Sequence, residues 1–274
     1  MTVLVTGATG TVGRALIDAL QRAGAPVRAL TRDPGTAELP AGVEVITGDL
    51  TDPPSITPAL QGVDRAHLIG FTGPRGAGGG EPLTMAPEIV ARLEAAGVQR
   101  VTVLQNGHIG PMEEAVQASD LDWTLLAPVA FMANAHSWAE AIRTDGEVAE
   151  PHGHQKGAVV HEADIADVAV AALIQDGHAG QQYLITGPEG ITAAEQVQIL
   201  AGALGRQIGF RELTEAEAVA RWRSWGFDDD DIEFMKWTWT SPVGADPVPT
   251  VRQVTGHPGR TFAEWAVENA AAFR

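Results

Sequence analysis

Thr2-Val3-Leu4-Val5-Thr6-Gly7-Ala8-Thr9-Gly10-Thr11-Val12-Gly13 begins as an apolar, β-branched run and breaks into three evenly spaced glycines. The run predicts a strand over 2–6. Gly7 can make a tight turn that a side chain would block. Gly10 lets backbone approach a pyrophosphate, and Gly13 lets the following helix pack closely on the sheet. Val12–Ala23 carries apolar residues at helical spacing and stops at Gly24. Three glycines alone also describe a plain βα turn. Their position between a strand and a helix is the context a dinucleotide requires, with helix N–H groups free to meet phosphates. Gly7, Thr9, Gly10, Thr11, Val12 and Gly13 are therefore candidate cofactor residues.

Outward from this turn, similar runs recur at 26–31, 43–47, 64–70, 100–105 and 122–127, separated by helical patterns such as Met85–Ala96, which stops at Gly97. Runs without strict alternation fit strands covered on both faces. The expected fold class is α/β: a Rossmann-type, doubly wound parallel sheet with a small C-terminal α/β substrate lobe. Residues 1–145 read as the NADP(H)-binding core. Residues 146–274 read as a mixed segment that returns to the core and forms the smaller lobe, with a helix from Asp164 to about Ile174, a strand at 181–186 and a helix at 192–204. Residues 73–82, rich in glycine, read as a mobile loop beside the cofactor. Asp228–Asp231 reads as a solvated helix start, because carboxylates favour the positive end of a helix dipole and four adjacent acids do not converge on one ion.

The chain has 35 acidic and 18 basic residues, a formal net charge of -17. That balance repels a phosphate backbone, so nucleic acid is not an expected partner. The absence of cysteine excludes disulfides, thiolate catalysis and Cys-ligated metals. No stretch approaches ~18 consecutive apolar residues, so no membrane span is expected. The N-terminus enters a strand at once, and the expected location is cytoplasmic. Serine hydrolysis lacks its Gly-x-Ser-x-Gly elbow. His152, His154 and His161 have no clearly placed carboxylate partner, and no metal is expected.

The second predicted strand ends at Thr31-Arg32. An acid there would bind a ribose 2′-OH and favour NAD(H), whereas Arg32 suits a 2′-phosphate, so NADP(H) is expected over NAD(H). Asp33 complicates this, since it could pair with Arg32 or turn toward the ribose. Gly48-Asp49-Leu50 follows the third strand, where the Asp49 carboxylate can meet the adenine amino group; a turn or cap role is the alternative.

At this point the sequence resembles the NmrA-like group of atypical short-chain dehydrogenase/reductases. The resemblance is carried by Thr6–Gly13, Gly48-Asp49-Leu50, Gly62-Val63-Asp64, Asp122–Pro128, Phe131-Met132-Ala133-Asn134, Asp164–Ala169 and Tyr183–Glu189. It implies a nicotinamide near Gly70, Phe71, Thr72 and Gly73, near Gln105-Asn106, and near Pro128–Phe131. Short-chain reductases usually carry Tyr-x-x-x-Lys, in which Lys lowers the Tyr pKa and Tyr protonates the developing alkoxide. Here the only tyrosine, Tyr183, is followed four positions on by Gly187, and Glu113 and Glu114 occupy the helix where a Lys would be sought. The usual proton-donating pair is missing.

The expected function is NADPH-dependent hydride transfer to the carbonyl of an aromatic ketone or quinone, such as an aromatic polyketide intermediate of secondary metabolism. Asn106 is the candidate donor to the developing oxygen and His108 the candidate proton relay; bound water or a substrate phenol are alternatives. The aromatics at 222–239 offer flat walls to a flat ligand, or else fill the lobe's own core. Asn134, Trp138, Trp222 and Trp225 are the candidate substrate residues. A non-catalytic redox sensor acting through a protein partner is the second hypothesis. Either monomer or homodimer fits.

Overall fold

A computed structural model describes residues 1–73 and 80–274, and for Trp239 and Thr240 the backbone alone. Residues 74–79 of the expected mobile loop lie outside the described residues. The first elements are β1 (Val3–Val5), α1 (Thr11–Arg22), β2 (Val27–Thr31), β3 (Glu44–Thr47), β4 (Arg65–Ile69), α2 (Ala86–Ala95), β5 (Arg100–Leu104), α3 (Pro111–Gln117) and β6 (Asp122–Pro128). There follow α4 (Ala139–Thr144), β7 (Glu147–Pro151), β8 (Lys156–Gly157), α5 (Glu162–Ile174) and β9 (Gln181–Ile185). The remainder is β10 (Ile191–Thr192), α6 (Ala193–Leu204), β11 (Gly209–Leu213), α7 (Glu215–Ser224), α8 (Asp229–Thr240), α9 (Thr250–Thr255) and α10 (Phe262–Glu268).

Seven strands form one parallel sheet in the order β3-β2-β1-β4-β5-β6-β9. The strands are apolar on both sides because helices cover both faces. Leu4, Ala66, Val101, Val103 and Leu125 pack with Ile89 and Leu93 of α2 and Met112 and Val116 of α3. On the other face α1 packs on α5, and α5 lies on β4, β5 and β6. Leu16, Ile17 and Leu20 give α1 its buried stripe, and Gly24 ends it with φ of 73°. Strand order reverses direction between β1 and β4. In open α/β sheets that switch point opens a crevice at the carboxyl ends of the strands.

The described chain divides into two units: residues 1–73, 80–128 and 162–185, which contain the sheet, and residues 129–161 and 186–274. Residues 129–145, read with the core from sequence, group with the second unit. In that unit β7 pairs parallel with β11 and β8 antiparallel with β10. Its core is aromatic: Phe262, Trp265 and Phe273 are fully buried, with the Phe262 and Trp265 rings stacked at 5.4 Å. α6 starts on a reciprocal Thr192/Glu195 cap and ends on left-handed Gly205. α8 starts on the same device, Asp228 with Asp231, so this acidic run is spent on the helix start.

Candidate active site

Because every strand pair in the sheet is parallel, all carboxyl ends lie along one edge. That edge gathers the glycine turn after β1, Arg32 after β2, Asp49 and Leu50 after β3, Gly70–Thr72 after β4, Gln105–His108 after β5, and Pro128 at the end of β6. Six segments distant in sequence thus meet through topology alone.

The glycine turn is built by close approach. Gly7 has φ of 61°, and the Gly10 N–H donates to its carbonyl at 2.9 Å. A Cβ at Gly13 would stand 2.1 Å from the Gly7 oxygen, and one at Gly10 3.2 Å from it. Thr6 locks the turn to β4: its hydroxyl donates to the His67 carbonyl and accepts from the Ile69 N–H, each at 3.0 Å. Helix α1 begins with no side-chain cap and no acid in its first turn. Its first N–H groups are left for an anion, which the helix dipole also favours. The cradle a Cβ would fill, together with this uncapped helix start, fits a pyrophosphate.

At the end of β2, the Asp33 carboxylate accepts the Gly35 N–H at 3.0 Å and caps the short turn Pro34–Thr36. Among the described residues, Arg32 is exposed and has no acid partner. Asp49 uses one carboxylate oxygen to accept the Thr51 N–H at 2.9 Å, while Ser55 holds its backbone. That is the turn role, with the second oxygen making no bond among the described residues. Leu50 is buried in the core. Gly70, Phe71 and Thr72 pair with Glu81, Pro82 and Leu83 through Leu83 N–H to Gly70 carbonyl and Thr72 N–H to Glu81 carbonyl, both 2.9 Å.

Gln105 is buried, and its side-chain oxygen accepts from Gln182 at 2.9 Å, leaving the two amide hydrogens as its donors. Asn106 follows at a half-buried position, and His108 is exposed on the loop before α3. Glu113 is not a lysine surrogate. Its buried carboxylate accepts the Gly110 N–H at 3.0 Å and holds the start of α3. Tyr183 lies within β9, where its hydroxyl bonds the His178 ring at 2.8 Å and burial pushes its pKa up. A tyrosine acid needs the opposite shift.

In the second unit, Phe131 bridges Val160, and Asn134 is exposed on the short helical segment that follows. The Trp138 indole N–H donates to Glu150 at 2.8 Å, and Arg221 bonds the same carboxylate at 2.6 Å. Trp222, read from sequence as a substrate wall, is 2% exposed in a cluster with Ala218, Phe227 and Ile232. Its surface is spent on packing. Trp225 is 45% exposed, with the Arg221 guanidinium over its ring at 5.1 Å.

Two residues that sequence reasoning passed over belong to the first unit's edge or support it: Arg14 and His67. Arg14 directly follows the third glycine, which was the one signal available. His67 sits in an apolar strand like any core residue. Among the described residues no group of three or more His, Cys, Asp or Glu converges as a metal site, and no helix is long and apolar enough to cross a membrane.

A family profile described as NAD(P)H-binding matches residues 7–112. The chain is 34% identical to the NAD(P)H azoreductase of Xenophilus azovorans, over 99% of both chains. It is 36% identical to the (4-alkanoyl-5-oxo-2,5-dihydrofuran-3-yl)methyl phosphate reductase of Streptomyces griseus subsp. griseus, again over 99% of each. Among solved structures, the NADPH complex of an NADPH-dependent quinone oxidoreductase from Escherichia coli superposes with a TM-score of 0.79 at 26% identity, over 97% of this chain and 99% of that one.

Proposed function

This chain belongs to the NmrA-like, NAD(P)H-binding family of atypical short-chain dehydrogenase/reductases and is an NAD(P)H-dependent reductase; from that premise we propose that it prefers NADPH and reduces aromatic ketones or quinones. Bound nicotinamide supplies the hydride. The protein's part is to hold the cofactor on the glycine turn and to stabilise charge on the acceptor.

One observation carries the acceptor class: the cofactor edge is built, yet the only tyrosine is bound to His178 within a strand and no lysine stands in α3. An isolated alkoxide is a strong base, comparable to hydroxide, whereas a phenolate is the anion of an acid of pKa ~10 and a far weaker base. That gap, on the order of several kcal/mol, is stabilisation that an acceptor yielding a phenolate contributes itself. A site without a tuned acid therefore suits a quinone best; an aromatic ketone, whose reduction leaves a localised benzylic alkoxide, leans more on Asn106 donating a hydrogen bond and on His108 or water supplying the proton. The relatives' names, azoreductase and quinone oxidoreductase, support such conjugated acceptors. A polyketide intermediate of secondary metabolism is one candidate of this kind.

Anaerobic NADPH oxidation followed by absorbance across a panel of quinones and aromatic ketones tests the proposal. Tight cofactor binding without turnover of any of them would sink it and favour a redox sensor. Asn106→Ala combined with His108→Ala should lower turnover of a simple aromatic ketone by about a hundredfold and of a quinone by less than about tenfold, since general acid assistance is worth most where charge is localised. Equal losses on both would refute the role of delocalisation.

The unpaired Arg32 and the occupied Asp33 carboxylate support NADPH over NADH. Arg32→Ala is expected to weaken NADPH binding by about 10- to 100-fold, the worth of charge-assisted bonds to a phosphate, and to leave NADH within about twofold. Equal losses for both cofactors in a calorimetric titration would remove Arg32 from the 2′-phosphate.

A further inference from the structure

Each of the three guanidinium nitrogens of Arg14 donates to backbone. Its Nε donates to the Thr9 carbonyl at 3.0 Å, one terminal nitrogen to the Glu38 carbonyl at 2.7 Å, and the other to the Ala37 carbonyl at 3.0 Å. Thr9 belongs to the glycine turn. Ala37 and Glu38 close the loop that starts at Arg32, runs through the Asp33 cap and the turn Pro34–Thr36, and ends here. One guanidinium therefore ties the pyrophosphate turn to the loop that carries Arg32.

The tie is specific in geometry. Ala37 is 2% exposed, so the loop's far end is fixed, and Glu38 holds φ at 40°, a left-handed conformation unfavourable to a residue with a side chain. The Glu38 carbonyl accepts from Arg14 in that conformation. Among the described residues no acid pairs with Arg14. Its bonds are all to neutral carbonyls, so it also keeps its charge beside the anion-binding turn.

We infer that Arg14 is a positioning residue that sets the preference for the 2′-phosphate, by holding the 32–38 loop in register with the glycine turn. The inference rests on the NADPH reading above. Arg32 would be the group that grips the phosphate, and Arg14 the group that fixes where Arg32 stands. A lysine cannot replace it, because a single ammonium cannot span carbonyls on two segments as the planar fork does.

Calorimetric titration with NADPH, NADH, 2′,5′-ADP and 5′-ADP tests this on the wild type, Arg14→Ala, Arg14→Lys, Arg32→Ala and the Arg14→Ala/Arg32→Ala pair. The Arg14 variants should each lose about tenfold in NADPH affinity and less than about threefold in NADH affinity, in the range of one displaced charge-assisted contact. The ratio of 2′,5′-ADP to 5′-ADP affinity should fall in parallel. In the Arg32→Ala background, Arg14→Ala should cost no further selectivity, because residues that act as one unit are non-additive. Restoration of selectivity by Arg14→Lys would show that charge alone matters and would overturn the inference. Equal weakening of both cofactors, or additive losses in the double variant, would overturn it as well. A wild-type protein that binds no dinucleotide would instead sink the NADPH reading itself.

Discussion

Gly13→Ala is expected to abolish detectable NADPH binding, with an affinity loss beyond about a hundredfold, and to destabilise the fold by about 3 kcal/mol, the upper end of ordinary overpacking. The added Cβ would stand 2.1 Å from the Gly7 oxygen, 2.8 Å from its carbonyl carbon and 2.9 Å from the Ala8 Cα. All three obstacles are backbone, so no side chain can swing away. Relief requires α1 to lift from the turn, and that moves the N–H groups a phosphate would meet. Gly7→Ala meets only the Ile69 side chain, its Cγ2 methyl at 2.9 Å, but must hold φ at 61°. Its cost should be about 1–2 kcal/mol. Gly10→Ala meets the Gly7 oxygen at 3.2 Å and should fold nearly normally. Its penalty should appear in cofactor affinity, where the Cβ intrudes on the pyrophosphate's approach. Urea titration and NADPH calorimetry on the three variants separate these effects. Wild-type affinity in Gly13→Ala would mean that the turn does not hold the cofactor.

That ordering could not be drawn from the glycine pattern, although the pattern sufficed for the turn itself. The strands of the sheet were legible because burial on both faces demands apolar, β-branched runs, and Gly24 and Gly97 marked where α1 and α2 stop. β7 and β11 were not. Glu147, Glu150, Arg211 and Glu212 sit in these strands, and neither the alternation of a half-exposed strand nor the apolar run of a buried one is present. Start signals for α3 were hidden among Gly107, Gly110 and Pro111. At the site, residue type pointed to one edge of the sheet but not to contacts. Asp33 could be narrowed to a cap only once Gly35 was seen beneath its carboxylate. Trp222 and Trp225 look alike in sequence, yet one is buried among Phe227 and Ile232 and the other is capped by a guanidinium.

His67 carries the second large expectation, which concerns stability rather than turnover. It lies fully buried in β4, its Nδ1 2.8 Å from the Thr102 hydroxyl and its Nε2 without a partner among the described residues. Burial pushes its pKa down from 6.5 to about 4. Between those values the unfolded chain binds a proton that the folded chain refuses, so stability falls as pH drops through that window. The loss should reach about 3 kcal/mol by pH 4 and level off below it, where the folded state also protonates. Asp64, Asp176, Glu195, Glu217 and Glu264 behave differently. Their folded pKa values are depressed, chiefly by hydrogen bonds, so their stabilisation is present above the ordinary carboxylate range and is lost only below it. The two windows are therefore separable. His67→Leu with Thr102→Val removes the imidazole and its partner together, so no new unpaired hydroxyl is left in the sheet. Urea unfolding of this pair should lose most of the decline that the wild type shows between pH 6.5 and 4.5, keeping only the smaller share of His178, whose pKa burial and the Arg100 charge also lower. Parallel curves over that interval would mean that His67 takes up its proton as readily in the folded protein as in the unfolded chain, and its Nε2–H would then have to donate to an acceptor.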